Sequence, residues 1–139
     1  MKIEVQRTVR NTCIFSAGIA VVLSPIPLAD ELVLFPTFGV MASRIAKHHD
    51  IATRSLPWKS ILTTVGGALL ARATVNLAVA ALPGVSAAAN ATSAALLTTL
   101  LGNYIDAICT DPTAPRALTM HEILNQMKAR IRAKPQPAS

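Results

Sequence analysis

Asp30 is the residue of this sequence for which a chemical role is best argued, because it and its neighbour Glu31 are adjacent carboxylates in an otherwise uncharged stretch. They end the segment "SPIPLADE", and no other charged residue occurs between Arg10 and Arg44. Two compatible roles follow for Asp30. An ionisable residue in a lipid-facing segment tends to be functional, which predicts a pair with Arg72 or a contact with a partner. A carboxylate after a proline break also caps the exposed amides of a helix start, and this role is favoured.

The other reactive side chains form no catalytic or metal-binding pattern. His48 and His49 are adjacent, so they point about 100° apart in a helix, and His121 is distant in the sequence. The serines have no evident histidine partner to activate them. Both glycine-rich phosphate-binding motifs, G-x-x-x-x-G-K-[ST] and G-x-G-x-x-G, are missing. We therefore expect a non-enzymatic protein without a cofactor or a bound metal.

The composition combines high hydrophobicity with positive charge. Hydrophobic residues make up 52% of the 139 residues and charged residues 14%, with a mean hydropathy of +0.46 and a formal net charge of +6. A nucleic-acid-binding surface would carry Lys and Arg along its helices, with aromatic residues for stacking, whereas aromatic residues are only 4% here. The composition favours a lipid-facing core with basic flanks, and nucleic acid is not an expected partner.

Hydrophobic runs and helix-breaking residues divide the chain into five predicted helices. Pro25 and Pro27 end the first helix, and Pro83 with Gly84 gives a strong turn signal between the third and the fourth. The sequence "TMHE" matches a capping box, which opens a basic amphipathic fifth helix. The predicted ranges are about 5–23, 29–49, 58–82, 85–108 and 119–133.

The basic residues are distributed unevenly over these helices. If the first two helices form one hairpin and the next two another, every Lys and Arg except Arg72 falls at the open end of the hairpins or beyond it. Cytoplasmic loops of membrane proteins are enriched in Lys and Arg. The asymmetry therefore predicts two hairpins that enter the cytoplasmic membrane and leave both termini in the cytoplasm. Trp58 and Tyr104 fall at the open end, where interfacial aromatic residues are expected.

The lengths of the uncharged segments limit this prediction. Residues 11–29 come close to the roughly 20 residues that span a bilayer, but residues 32–43 are too few for a full crossing. Arg72 interrupts the third helix near its middle, at a cost of about 3 kcal/mol on insertion scales. The first hairpin is therefore expected either to be re-entrant or to lie partly in the membrane interface.

Several residues of the apolar part match the pattern of one bacterial family. They are the P-x-P-x-x-D of Pro25, Pro27 and Asp30, then Met41, the turn at Pro83 and Gly84, and Gly102 in the fourth helix. Through them, residues 15–108 resemble the bacterial domain of unknown function numbered 697, which typically follows a GTPase domain. This sequence contains no GTPase domain. The resemblance implies a membrane-associated hairpin domain whose GTPase partner is encoded separately.

The sequence thus predicts an all-α protein with two apolar helical hairpins and a C-terminal basic amphipathic helix. The hairpins form a domain over residues 1–110, and the basic helix with a frayed tail occupies residues 111–139. The expected function is a scaffold or anchor at the cytoplasmic membrane. Two alternatives stay open: a membrane-permeabilising protein of the holin or toxin type, and a soluble helical bundle that buries the same faces in a homo-oligomer.

Overall fold

The chain folds into helices throughout the part that the computed structural model describes, which is residues 1–23, 29–79, 82, 85–111 and 120–132. The five α-helices are α1 (Ile3–Val22), α2 (Ala29–His48), α3 (Trp58–Val79), α4 (Ser86–Thr110) and α5 (Met120–Arg132). A short 3₁₀ turn, Thr53–Ser55, lies between α2 and α3. The all-α prediction is confirmed, and the predicted helix ends agree with the observed ones to within a few residues.

Helices α1 to α4 form an antiparallel bundle with two different ends. At one end, which we call the base, the start of α1 meets the end of α2, and Nζ of Lys2 donates to the backbone oxygen of His48 at 2.7 Å. At the other end, the tip, the last turns of α3 meet the starts of α2 and α4 around Arg72. The chain direction therefore alternates from each of these helices to the next.

The packing of these helices differs from two separate hairpins. Helix α1 packs most extensively on α4 rather than on α2, and α4 contacts every other α-helix of the described chain. All five helices contribute to one core, through residues that include Val5, Phe38, Ile61, Leu101 and Ile123. The predicted hairpin arrangement is not confirmed. Short connections make consecutive helices antiparallel, but they do not decide which pair of helices buries the most surface.

Gly102 allows the close approach of α4 to α1. A Cβ atom added at Gly102 would lie 2.5 Å from Cγ2 and 3.0 Å from Cγ1 of Val9. These distances are shorter than van der Waals contact, and a β-branched valine in a helix has little rotamer freedom to move aside. Gly102 is one of the marks of the family resemblance, and the structure gives it a steric role.

Helix α2 ends at the base in a left-handed turn. Asp50 has a φ of 59°, and the backbone N–H of Ile51 donates to the carbonyl oxygen of Ala46 at 2.9 Å. This arrangement has the hydrogen bond of a Schellman motif, which satisfies a carbonyl that the helix leaves unpaired. The turn fixes His49 beside α4, where its Nε2 lies 2.8 Å from Oδ1 of Asp106.

The Gly102→Ala substitution should lower the free energy of unfolding of the wild type. The same substitution should raise the free energy of unfolding when Val9 is shortened to alanine. Overpacking costs about 1–3 kcal/mol, whereas replacing a helical glycine by alanine gains about 1 kcal/mol. In a Val9→Ala background both Cγ contacts are removed and only the Cβ of residue 9, at 3.3 Å, stays close, so Gly102→Ala should raise the free energy of unfolding. Urea unfolding of the four proteins measures both effects. An effect of the same sign in both backgrounds would contradict the steric role.

Candidate functional site

The tip half of α1–α4 contains three charged residues, and they meet in one buried cluster. We define this half as residues 12–23, 29–43, 60–79, 82 and 85–105. Nη2 of the fully buried Arg72 donates to Oδ2 of Asp30 at 2.6 Å. Nη1 of Arg72 donates to Oε1 of Glu31 at 2.9 Å. A guanidinium from α3 is therefore held by two neighbouring carboxylates from the first turn of α2.

Two asparagines complete this ion cluster. The backbone oxygen of Asn90 accepts a hydrogen bond from Nη2 of Arg72 at 3.4 Å, and Nδ2 of Asn76 donates to Oε1 of Glu31 at 3.4 Å. Both distances are long, so these hydrogen bonds are weaker than the two ion pairs. Nε of Arg72 and Oε2 of Glu31 are buried without a hydrogen-bond partner in the described chain. The ion cluster thus joins α2, α3 and α4 just below the tip.

The two carboxyl groups respond to this environment in opposite directions. Burial, together with the hydrogen bond and charge of Asp30, raises the pKa of Glu31 to about 7. Burial also acts to raise the pKa of Asp30, but hydrogen bonds with Glu31 and Arg72 and the positive guanidinium outweigh it and lower that pKa. The guanidinium therefore balances one full carboxylate, while the second carboxyl group takes up a proton close to neutral pH.

The ion cluster constrains how the helices pack. Moving an ion from water into a protein interior costs several kcal/mol, which pairing offsets only when the geometry is good. An unpaired buried charge is therefore strongly unfavourable. As a result, α2 and α3 are held in the register that brings Arg72 against both carboxylates.

The structure shows the pairing role predicted for Asp30. Helix α2 is described from Ala29, and Asp30 lies in its first turn. Its carboxylate pairs with Arg72, and a hydrogen bond from its own backbone N–H at the helix start also helps to lower its pKa, so the pairing and capping roles are compatible. An acidic residue in the first turn still interacts favourably with the helix dipole.

Glu31, Asn76 and Asn90 belong to the ion cluster but are missing from the site residues predicted from sequence. The sequence contained a pattern that could have identified Glu31, because it is the neighbour of Asp30 and equally isolated from other charges. The spacing from Arg72 could have identified Asn76, since it lies four residues later and therefore on the same face of α3. Asn90 contributes its backbone oxygen to Arg72, which no side-chain pattern reveals.

The other two predicted site residues that the structure describes, Met41 and Gly102, lie away from the ion cluster. Met41 is 1% exposed and belongs to the core. Gly102 lies at the contact of α4 with α1. Pro25, Pro27, Pro83 and Gly84 lie outside the described residues.

A second polar network joins three helices at the base. Nδ1 of His48 lies 3.3 Å from Oε2 of Glu4, and Nε2 of His48 lies 3.2 Å from Oγ1 of Thr8. His49 and Asp106 form the contact between α2 and α4. Within the described residues, no group of three or more His, Cys, Asp or Glu side chains is arranged to hold a metal ion. The histidines therefore connect α2 to α1 and α4.

One described segment, Trp58–Ala78 of α3, is long and apolar enough to cross a membrane. Within its most apolar window, 39% of the residues are buried inside the bundle. The core helix of a soluble protein meets the same criteria of length and composition. This segment alone therefore does not decide between a membrane and water.

Comparison of the chain with protein-family models, with curated proteins and with solved structures finds no match. The resemblance to the domain of unknown function numbered 697 stays a prediction. The function must be inferred from the geometry of this chain.

Arg72→Met should destabilise the protein by about 3–5 kcal/mol, because it leaves two carboxyl groups buried without their cation. The triple variant Arg72→Met, Asp30→Asn, Glu31→Gln should recover most of the loss, since it carries no buried charge. Urea unfolding followed by circular dichroism compares these variants. Arg54→Met, at an exposed arginine of the base, is the matched control and should change stability by less than about 0.5 kcal/mol. A triple variant as unstable as Arg72→Met would contradict the role of charge pairing.

The stability of the protein should fall as the pH rises from 5 to 8, and Glu31→Gln should remove that part of the profile. The folded state raises the pKa of Glu31 from its ordinary 4.5 to about 7. The resulting stabilisation is fully present below the ordinary pKa and is lost as the pH rises through about 7. Thermal unfolding at intervals between these pH values measures the profile. Parallel profiles for the wild type and Glu31→Gln would show that Glu31 does not titrate in this way.

Proposed function

We propose that the protein associates with the cytoplasmic membrane through the tip half of its bundle and serves there as a non-enzymatic anchor or scaffold. The observation that carries this proposal is the distribution of charge. The charged residues of the tip half are Asp30, Glu31 and Arg72, and all three are engaged in the ion cluster. The outer surface of this half is therefore uncharged over the described part of α1–α4.

The exposed side chains of α1 and α2 in the tip half are apolar. The large ones form what we call the apolar surface: Ile14, Phe15, Val21, Val22, Leu32, Phe35 and Val40. Phe15 and Val40 line the same groove between the two helices. Large apolar side chains left exposed on two packed helices favour a membrane or protein contact, because their exposure to water costs roughly 25 cal/mol per Å².

Exposed threonines of α3 fit an apolar environment as well. The hydroxyl groups of Thr63 and Thr74 donate to the backbone oxygens of Lys59 and Leu70 at 2.8 and 2.9 Å. Polar groups that find their hydrogen-bond partners within their own helix cost less to remove from water. These residues therefore add little to the cost of contact with lipid.

The base provides the charged face that such an orientation requires. Its exposed basic residues are Lys2, Arg7, Arg10, Arg44, Lys47, Arg54 and Lys59. Cationic side chains at the cytoplasmic side interact favourably with anionic lipid head groups. This distribution supports an orientation with the base toward the cytoplasm.

The position of α5 favours insertion of one face over a full crossing. Within the described residues, helix α5 packs on α3 and α4 and not on α1 or α2, so it leaves the apolar surface uncovered. Its Lys128 lines a cavity together with Val75 and Val85 near the tip, and so lies along the flank of the bundle. A cation on that flank is compatible with α1 and α2 lying in the lipid while α5 lies at the head groups. With the tip half in the membrane, the base would be the surface that recruits a partner. A separately encoded GTPase is the partner that the resemblance implies.

The double variant Val22→Lys, Phe35→Lys should move the tagged protein from the carbonate-washed membrane to the soluble fraction. Each lysine costs about 3 kcal/mol in lipid, whereas both positions already accept a water-facing side chain. Ile3→Lys, at a more exposed position of the base, is the matched control and should stay in the membrane.

Two outcomes of this fractionation would contradict the proposal. Wild-type protein in the soluble fraction, eluting as a dimer or larger assembly, would assign the apolar surface to a homo-oligomer. Retention of the double variant in the membrane would show that another surface makes the contact. Loss of the membrane potential on expression would favour the permeabilising alternative.

A further inference from the structure

Helices α3, α4 and α5 line a partly open cavity of about 370 Å³ near the tip. Its walls are mostly apolar and include Val75 of α3, Ala89 and Leu96 of α4, and Leu124 of α5. Lys128 is the one charged residue on the described lining, and its side chain is exposed. The cavity therefore has an apolar interior and a cation at its rim.

Lys128 supplies the charge by which the described lining can recognise a ligand. The lining has two hydroxyl groups, of Thr92 and Ser93, and the Ser93 hydroxyl donates to the backbone oxygen of Asn90 at 3.0 Å. Leu124 and Lys128 are four residues apart, so α5 presents both on the same face. One helix face thus supplies an apolar wall and a positive charge.

We propose that this cavity binds a medium-chain fatty acid, with the acyl chain against Val75, Ala89 and Leu96 and the carboxylate beside Lys128. Since an apolar cavity of about 150 Å³ binds benzene, a volume of about 370 Å³ has room for a chain of roughly twice as many carbon atoms. Lys128, the one charge of the described lining, matches the single charge of a carboxylate. A phosphate monoester carries about −1.5 to −2 at neutral pH, which one lysine would not balance.

This binding site does not depend on the proposed membrane association. The cavity lies among α3, α4 and α5, whereas the apolar surface lies on α1 and α2. A membrane would be one source of the ligand, but the cavity recognises a single acyl chain with its carboxylate. The two proposals can therefore fail separately.

The test is displacement of a dansylated undecanoic acid from the purified full-length protein, held in a lipid-free amphipathic polymer. Dodecanoate should displace the fluorescent probe at about fivefold lower concentration than dodecanol, the fold-change expected for one exposed ion pair. Lys128→Ala should remove this difference, and Lys128→Arg should preserve it. Lys47→Ala, at an exposed lysine of the base, is the control and should change neither value.

A second pair of variants tests the acyl chain. Ala89→Phe places a large side chain in the cavity and should weaken dodecanoate and dodecanol alike by about tenfold or more. If its circular dichroism spectrum shows that it does not fold, Val75→Phe fills the cavity from α3 instead. Equal affinity for dodecanoate and dodecanol in the wild type would overturn the proposal. Tighter binding of dodecyl phosphate, or probe binding that no lining variant weakens, would overturn it as well.

Discussion

The packing of the tip half depends on one interaction, the pairing of the Arg72 guanidinium with the carboxyl groups of Asp30 and Glu31. It places the positive charge of α3 between Asp30 and Glu31 of α2, away from the surface. Three charged residues in an apolar half would otherwise expose charge on its outside or leave it unpaired inside. Because they pair with each other, the outer surface of α1 and α2 in that half can be apolar. The internal ion cluster and the external apolar surface are two consequences of one arrangement.

The protonation of Glu31 adjusts the charge of the ion cluster. With a proton on Glu31, the positive Arg72 and the negative Asp30 cancel, and the tip half has no net charge. Ionisation of Glu31 leaves one excess negative charge among apolar helices. Charge is costly near lipid hydrocarbon, so the neutral form is the one that suits membrane contact.

The sequence was sufficient to predict the helices, because prolines, glycine and polar connections interrupt strongly apolar runs. It was insufficient to predict how the helices pair. The extensive contact of α1 with α4 depends on the absence of a Cβ atom at Gly102 opposite Val9, which is a property of two residues far apart in the chain. The fifth helix was also predicted, but not the surface that it covers. That surface is set by Ile123, which enters the common core.

The ion cluster was partly predictable for a different reason. Charged residues are so rare in the tip half that Asp30 and Arg72 were natural candidates for a pair. The capping role was favoured because Asp30 follows a proline break, whereas the contact with Arg72 depends on how α2 and α3 pack. The backbone oxygen of Asn90 could not be predicted, since its contribution depends on where α4 passes Arg72.

The central claim is that the apolar surface of α1 and α2 lies in lipid while the base lies in water. The most direct measurement is quenching of tryptophan fluorescence in vesicles of phosphatidylglycerol and phosphatidylethanolamine with brominated acyl chains. Phe35→Trp in a Trp58→Phe background reports on the apolar surface, and the native Trp58 reports on the base. Bromine should quench the first protein strongly and the wild type weakly, and aqueous iodide should quench the first protein weakly. Strong iodide quenching of the Phe35→Trp protein, without quenching by bromine, would contradict the account.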